Sequence, residues 1–262
     1  MNVRSSTLPS SGSTSTQPLT RSNLSFRGPL MDVYIGNDTE PFKLHKDLAS
    51  ASSSLFRRYR NEDALNLPDE EPHLFELYAQ WLYSKNSKAV FKDLRAHELV
   101  KCDDGTIDQP GAETLFHLFC LGERIRDVTF KNTVVDAYID AVKRAKNYPT
   151  HLAAWIYERL PENSGFRKLY IDIWCWDSDE LWFEDLESRD DPLTAPGAFW
   201  LDVFKRKTEL GRTVYGSRYK KPWDSDRTQY HETEETEGEA EDQVEKDETL
   251  EVVTKSEIDS EP

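Results

Sequence analysis

The first third of the chain changes its hydrophobic rhythm every ten residues or so. Asp32-Val33-Tyr34-Ile35 is a short β-branched and aromatic run, and Gly36-Asn37-Asp38 behind it is a turn signal. Phe42-Lys43-Leu44 alternates, so residues 32–45 read as a hairpin. Leu48, Ala51, Leu55, Phe56 and Tyr59 then recur at helical spacing with serines between them, which predicts one serine-rich helix. Ala64-Leu65-Asn66-Leu67 is a third short strand. Pro68-Asp69-Glu70-Glu71-Pro72 opens the next helix: the acids suit its positive end and Pro72 suits its first turn. Its apolar stripe is Leu74, Phe75, Tyr78, Trp81 and Leu82.

Residues 85–110 are charged and read as loop. Helical periods follow at about 112–126 (Leu115, Leu118, Phe119, Ile125) and 128–145 (Phe130, Val134, Ala137, Tyr138, Ala141). Beyond Pro149 the chain is helical and aromatic, with stripes starting at Leu152, Trp155 and Ile156 and at Phe166, Leu169, Tyr170 and Ile173. Ser178 and Pro196 are set as starts for two more helices. Strands come first and helices after, with no fixed-period repeat, and this order predicts an α+β fold with helices packed together.

Charge changes the picture at the ends. From Asp224 to Pro262 there are 16 acidic and 3 basic residues, a net of -13 out of the chain's -16, so residues 1–223 carry about -3. A nearly neutral folded part argues against direct binding of nucleic acid, which needs a concentrated basic face. Residues 1–23 hold 11 Ser/Thr and 2 Pro with little that is apolar, too little to offset the entropy of ordering. The acidic stretch from about Tyr219 onward reads the same way, as a solvated tail open to phosphorylation or to a basic partner. Its removal beyond about Lys221 is therefore expected to leave the fold intact.

No catalytic or metal-binding pattern stands out in the sequence. Ser52 to Ser54, His45 and Asp32 would supply a nucleophile, a base and an acid, but no G-x-S-x-G turn presents them and the serines lie inside a helical pattern. The six histidines (45, 73, 97, 117, 151, 231) show no metal-ligand spacing, and His117 on an apolar helix reads as a core histidine. No phosphate-cradling glycine loop occurs, and Asp103-Asp104 and Asp190-Asp191 read as solvated turns. No catalytic, cofactor or metal residues are expected, and the chain is read as a non-enzyme. Cys102, Cys120 and Cys175 lack CxxC spacing and are odd in number, which favours a reducing compartment. No apolar run reaches membrane-spanning length and no signal peptide is evident, so the expected setting is intracellular, in cytoplasm or nucleus.

The ordered pattern of hairpin, helix, strand and helix resembles a BTB/POZ domain. The matching stretches are DVYIG (32–36), FKLHKDLASASSSLFRR (42–58), LNLPDEEPHLFELYAQWLYS (65–84) and LFHLFCLGERIRDVTFKNTVVDAYI (115–139). The P-D-x-x-P-x-x-F-x-x-Y-x-x-W-L-Y run is similar to fungal members, and WIYERLPENSGFRKLYIDIWCW (155–176) to the helices that follow their BTB domain. The resemblance implies a BTB/POZ fold, a small sheet of short strands flanked by α-helices, over 28–146. A C-terminal helical region over 147–218 would follow it, with disordered ends at 1–27 and 219–262. It implies protein–protein interaction as the function. One form is an adaptor recruiting partners to a cullin-based ubiquitin ligase, the other a scaffold in a transcription or signalling complex independent of ubiquitination. It places Asp32 close to Lys46 as a fold-fixing ion pair or a partner contact, leaves His45 as a hydrogen-bonding strand end, and offers Phe56, Tyr59 and Phe91 as apolar contacts for a cullin or other protein partner.

Residues 1–27 carry only isolated Leu8, Leu19, Leu24 and Phe26. No apolar stripe runs through them, so the helix that swaps between partners in many family dimers is not expected, and a monomer or weak homodimer is. The tryptophans beyond Pro149 would either cover the apolar surface left by that missing helix or form a different dimer contact.

Overall fold

A computed structural model of the chain describes residues 27–84, 90–91, 100–101, 107–108, 110–145, 152–178, 195–211 and 220–233. It is a mixed α+β structure. Strand β1 (Leu30–Ile35) lies at the centre of a three-stranded sheet of order β2-β1-β3. β2 (Phe42–His45) pairs with it antiparallel, Leu30 opposite His45 and Val33 opposite Phe42. β3 (Ala64–Leu67) pairs with it parallel, Asp32 opposite Ala64 and Ile35 opposite Leu67. The predicted hairpin and third strand are thus both present. Gly36, at φ +58°, makes the turn after β1, where a side chain would be strained and its Cβ would press on the Glu70 carbonyl.

Alternation decides the sheet's two faces. Met31, Val33, Ile35, Leu44, Leu65 and Leu67 are buried on the inner one, while Leu30, Asp32, Tyr34, Lys43 and His45 share the outer one. Against the inner face packs α3 (Pro72–Tyr83), whose five predicted stripe residues are all buried, with Phe75 edge-on to Phe42 at 5.0 Å.

The serine-rich helix is two helices, α1 (Lys46–Ser52) and α2 (Ser54–Arg58). Ser53, in extended conformation (φ -113°, ψ 136°), breaks the run: its hydroxyl accepts from the Phe56 amide at 3.2 Å and donates to the Ile125 carbonyl. A hydroxyl that caps a new helix and reaches another at once overrides the local helical period. The expectation of loop over 85–110 is corrected too, because β4 (Val100–Lys101) and β5 (Ile107–Asp108) form a short antiparallel pair.

Helices α4 (Pro110–Ile125) and α5 (Val128–Ala145) follow as predicted. The turn between them is held by Asp127, which is fully buried. Its carboxylate accepts from the Phe130 amide at 2.9 Å, from the Tyr78 hydroxyl at 3.1 Å and from the Ser52 hydroxyl. One residue therefore caps α5 and ties it to α1 and α3.

Helices α6 (Leu152–Arg159) and α7 (Gly165–Asp177) continue the same core rather than forming one of their own. Phe166 lies 5.0 Å from Phe119 and 4.7 Å from Tyr138, so α7 seats on α4 and α5. Pro196 precedes α8 (Gly197–Leu210), as expected, and the start expected at Ser178 leads into residues outside those described. The division at 219 is corrected. Residues 220–233, expected to be solvated tail, form a strap along α5 and α7: a short helix α9 (Pro222–Ser225), a 3-10 turn (Thr228–Tyr230), and buried Trp223 and Tyr230. Two aromatic anchors and a row of hydrogen bonds outweigh the strap's polar composition. Residues 1–26 and 234–262 lie outside the described residues.

Candidate functional site

The junction of β2 and α1 is where the sequence placed its candidate contacts, and the structure distributes them in three ways. His45 closes β2 on its outer edge. Its amide donates to the Tyr83 hydroxyl at 2.9 Å, and its Nδ1 lies 2.8 Å from the same oxygen. The Tyr83 ring meets the imidazole edge-on at 5.7 Å. Leu30, directly opposite His45 and 44% exposed, and Tyr83, 36% exposed, complete an apolar corner on the sheet.

Asp32 and Lys46 are not partners. They belong to different pairs: Asp32 to Lys43 at 2.7 Å across the hairpin, and Lys46 to Asp63 at 3.0 Å. The reason lies in register. Lys43 is the residue directly opposite Asp32, whereas Lys46 falls beyond the strand, with its stem buried and its ammonium reaching the 80% exposed carboxylate of Asp63. Arg60 and Asp47, 2.6 Å apart, add a third pair beside them.

Phe56 and Phe91 are corrected from surface contacts to core. The break at Ser53 turns Leu55 and Phe56 inward, where Phe56 stacks on Tyr78 at 6.3 Å. Phe91 is buried 6.1 Å from Phe130. Tyr59, at the C-terminal end of α2, remains partly exposed.

The serine, histidine and aspartate that could have formed a hydrolytic set are dispersed. Ser52 donates to Asp127, His45 pairs with Tyr83, and Asp32 with Lys43. His117 is half-buried beside Trp155 (5.7 Å) and Arg159 rather than in the core; burial and then the Arg159 cation lower its pKa below the usual 6.5. No group of His, Cys, Asp or Glu among the described residues is arranged to hold a metal ion, and no helix among them is long and apolar enough to cross a membrane.

Two features escaped sequence reasoning. α8 carries a second apolar stripe, Leu201 (52% exposed) and Phe204 (71% exposed), offset from its buried Phe199 and Val203. Its i, i+3 spacing was readable. The other is a layer of buried charge among α6, α7, α8 and the strap. Asp172, fully buried, accepts from Arg206 at 2.6 and 3.2 Å and from the Tyr230 hydroxyl at 2.7 Å. Asp202 accepts from Tyr157 at 2.7 Å and Arg167 at 2.9 Å, and the Arg167 guanidinium stacks 3.7 Å from the Tyr157 ring. Burial pushes the Tyr157 and Tyr230 hydroxyls far above their usual pKa, so both act as donors to these carboxylates.

No family model matches the chain, nor does any curated protein or solved structure.

Proposed function

We propose that this chain is a non-enzymatic protein–protein interaction module of the BTB/POZ type. The observation that supports this reading best is the topology of the N-terminal half. A hairpin is followed without a linker by two short helices, a parallel third strand and a helix, in sheet order β2-β1-β3, and the helix pair α4 and α5 closes the unit. His45 and Lys46 stand at the strand-to-helix junction, where the resemblance puts them. The side chains that could have served catalysis are instead engaged in holding that topology together.

The contact surface in this reading is the corner of Leu30, His45 and Tyr83, with Tyr59 and the charged pairs Asp32–Lys43 and Arg60–Asp47 around it. An apolar centre ringed by charge is the usual anatomy of a protein interface. The partner is a cullin scaffold, for which the chain acts as adaptor; the second role, a scaffold in a transcription or signalling complex, uses the same corner.

The test is affinity capture of the tagged chain and of a Leu30→Asp variant from cells, with cullin detected directly. Cullin retained by the parent chain and lost with Leu30→Asp supports the adaptor role. Proteins retained without cullin leave the scaffold role. Equal recovery of every retained protein by both chains overturns the corner as the contact surface. The expected state is a monomer or weak homodimer, read by light scattering during size exclusion. A concentration-independent mass of twice the 30.4 kDa chain would refute it.

A further inference from the structure

The strap is held by more than its two core aromatics, Trp223 and Tyr230: side chains of α5 and α7 also grip its main chain. Asn132 donates from Nδ2 to the Glu232 carbonyl at 2.9 Å and accepts the Glu232 amide on Oδ1 at 2.8 Å. Lys168 donates to the Gln229 carbonyl at 3.2 Å. Between these clamps lie two side-chain pockets. In one the Glu232 carboxylate meets the buried Lys131 ammonium at 2.7 Å and the Gly165 amide, the first of α7, at 2.9 Å. In the other the Tyr230 hydroxyl donates to Asp172. Main-chain clamps that give affinity, with pockets at alternate positions that give selectivity, are the general form of peptide recognition.

Two of the groove's buried charges keep a partner when the occupant leaves. Stranding a buried charge is what makes removal of a partner costly. Lys131 keeps Glu123 on the body at 3.3 Å and Asp172 keeps Arg206, while Asp177, at the C-terminal end of α7, pairs with Lys221 of the strap. Three further ion pairs to the strap, Arg227–Asp140 at 2.6 Å, His231–Asp136 at 3.2 Å and Lys143–Asp224, lie nearer the surface, where water replaces them. Gly165 belongs to the same design. A Cβ there would lie 2.1 Å from the Tyr230 carbonyl, so glycine leaves the space through which the strap's main chain passes.

We propose that the groove between α5 and α7 is a peptide-binding site, occupied in this chain by residues 220–233 as a tethered and replaceable ligand. Its external ligand is a protein segment that presents a tyrosine and, two residues later, a glutamate. This site is separate from the β2–α1 corner and does not depend on the reading of that corner.

The tether gives the resident strap an effective concentration on the order of millimolar, so an external peptide must compete against it. The experiment uses the full chain and a labelled synthetic peptide of residues 220–233. Tyr230→Ala with Glu232→Lys, made together in the full chain, releases the strap and leaves the groove untouched. This double variant is expected to melt cooperatively and to bind the peptide at least about tenfold more tightly than the parent chain does. Adding Gly165→Ala to it abolishes that binding, since the new methyl meets the peptide's main chain, while alanine is at least as good as glycine in a helix. Adding Asn132→Ala weakens it about tenfold by removing the main-chain clamp. A cooperatively folded double variant that does not bind the peptide overturns the proposal. So does binding unaffected by Gly165→Ala, and so does a double variant without a cooperative melt, which would make the strap an integral part of the core.

Discussion

Replacing Asp127 by alanine tests the joint on which the N-terminal half depends. The carboxylate is fully buried, caps α5 through the Phe130 amide, and receives hydroxyls from Tyr78 and Ser52. Loss of an N-cap acceptor costs about 1 kcal/mol. The Tyr78 hydroxyl, inside the core, would be left without this acceptor, at about 1–3 kcal/mol. Ser52 is half-buried and water can replace its acceptor, so it adds less. The sum is about 3 kcal/mol, which for a domain of this size lowers Tm by roughly 6–12 °C. Asp127→Asn keeps an acceptor for the Phe130 amide and a group that fits between the two hydroxyls, so it should cost about 1 kcal/mol. Urea titration followed by far-UV circular dichroism, run in parallel with thermal melts, measures both. An alanine variant within 1 kcal/mol of the parent chain, or no worse than the asparagine variant, would refute this account of the joint.

Asp32→Ala should cost less than about 1 kcal/mol, because its partner Lys43 is well exposed, and a double-mutant cycle between Lys46→Met and Asp63→Ala should give a coupling of the same small size. A coupling of several kcal/mol would show that Lys46 is buried as a charge rather than as a stem. Cys120 and Cys175, whose thiols burial pushes up to about 12 and about 11, should resist a neutral-pH disulfide reagent until the chain unfolds, as peptide mapping by mass spectrometry would record. Burial raises the Asp202 carboxyl, but the hydrogen bonds from Tyr157 and Arg167 and the Arg167 charge outweigh it, leaving the group below its usual 3.8. A depressed acid contributes stability that is complete above its unfolded pKa and fades as pH falls through the folded one, so the stability gap between the parent chain and Asp202→Asn should be constant from pH 7 to 5 and shrink below about 4. A gap that widened with acid would reverse the sign of the argument.

The elements that could be read in the sequence are those whose period is set by burial alone. β1, β2 and β3 alternate because one face of the sheet is buried, and α3 to α5 show 3.6-residue stripes because one side of each meets the core. The serine-rich stretch failed for the opposite reason. Its apolar residues fit one continuous helix, and what breaks it is a pair of hydrogen bonds at the Ser53 hydroxyl, one accepted from the Phe56 amide and one donated to a carbonyl 72 residues away. That break also decides the site. The helix restarted at Ser54 seats Phe56 on Tyr78.

Lys46 shows how far a recognised pattern can carry a contact. Its position at the end of β2 was readable, but its partner was not, because register hands Asp32 to Lys43 and leaves Asp63 to reach Lys46 from the turn before β3. The strap is the extreme case of the same problem. Residues 220–233 are polar and charged, with three acidic and three basic residues, and Trp223 and Tyr230 stand seven apart with no stripe between them. What orders the segment lies on the other side of each bond, in Asn132, Lys131, Gly165 and Asp172, 58 to 101 residues earlier in the chain. Local hydrophobicity measures what a segment can bury by itself. A segment bound as a ligand is ordered by its receptor, and that receptor is spread over helices whose own stripes give no sign of it.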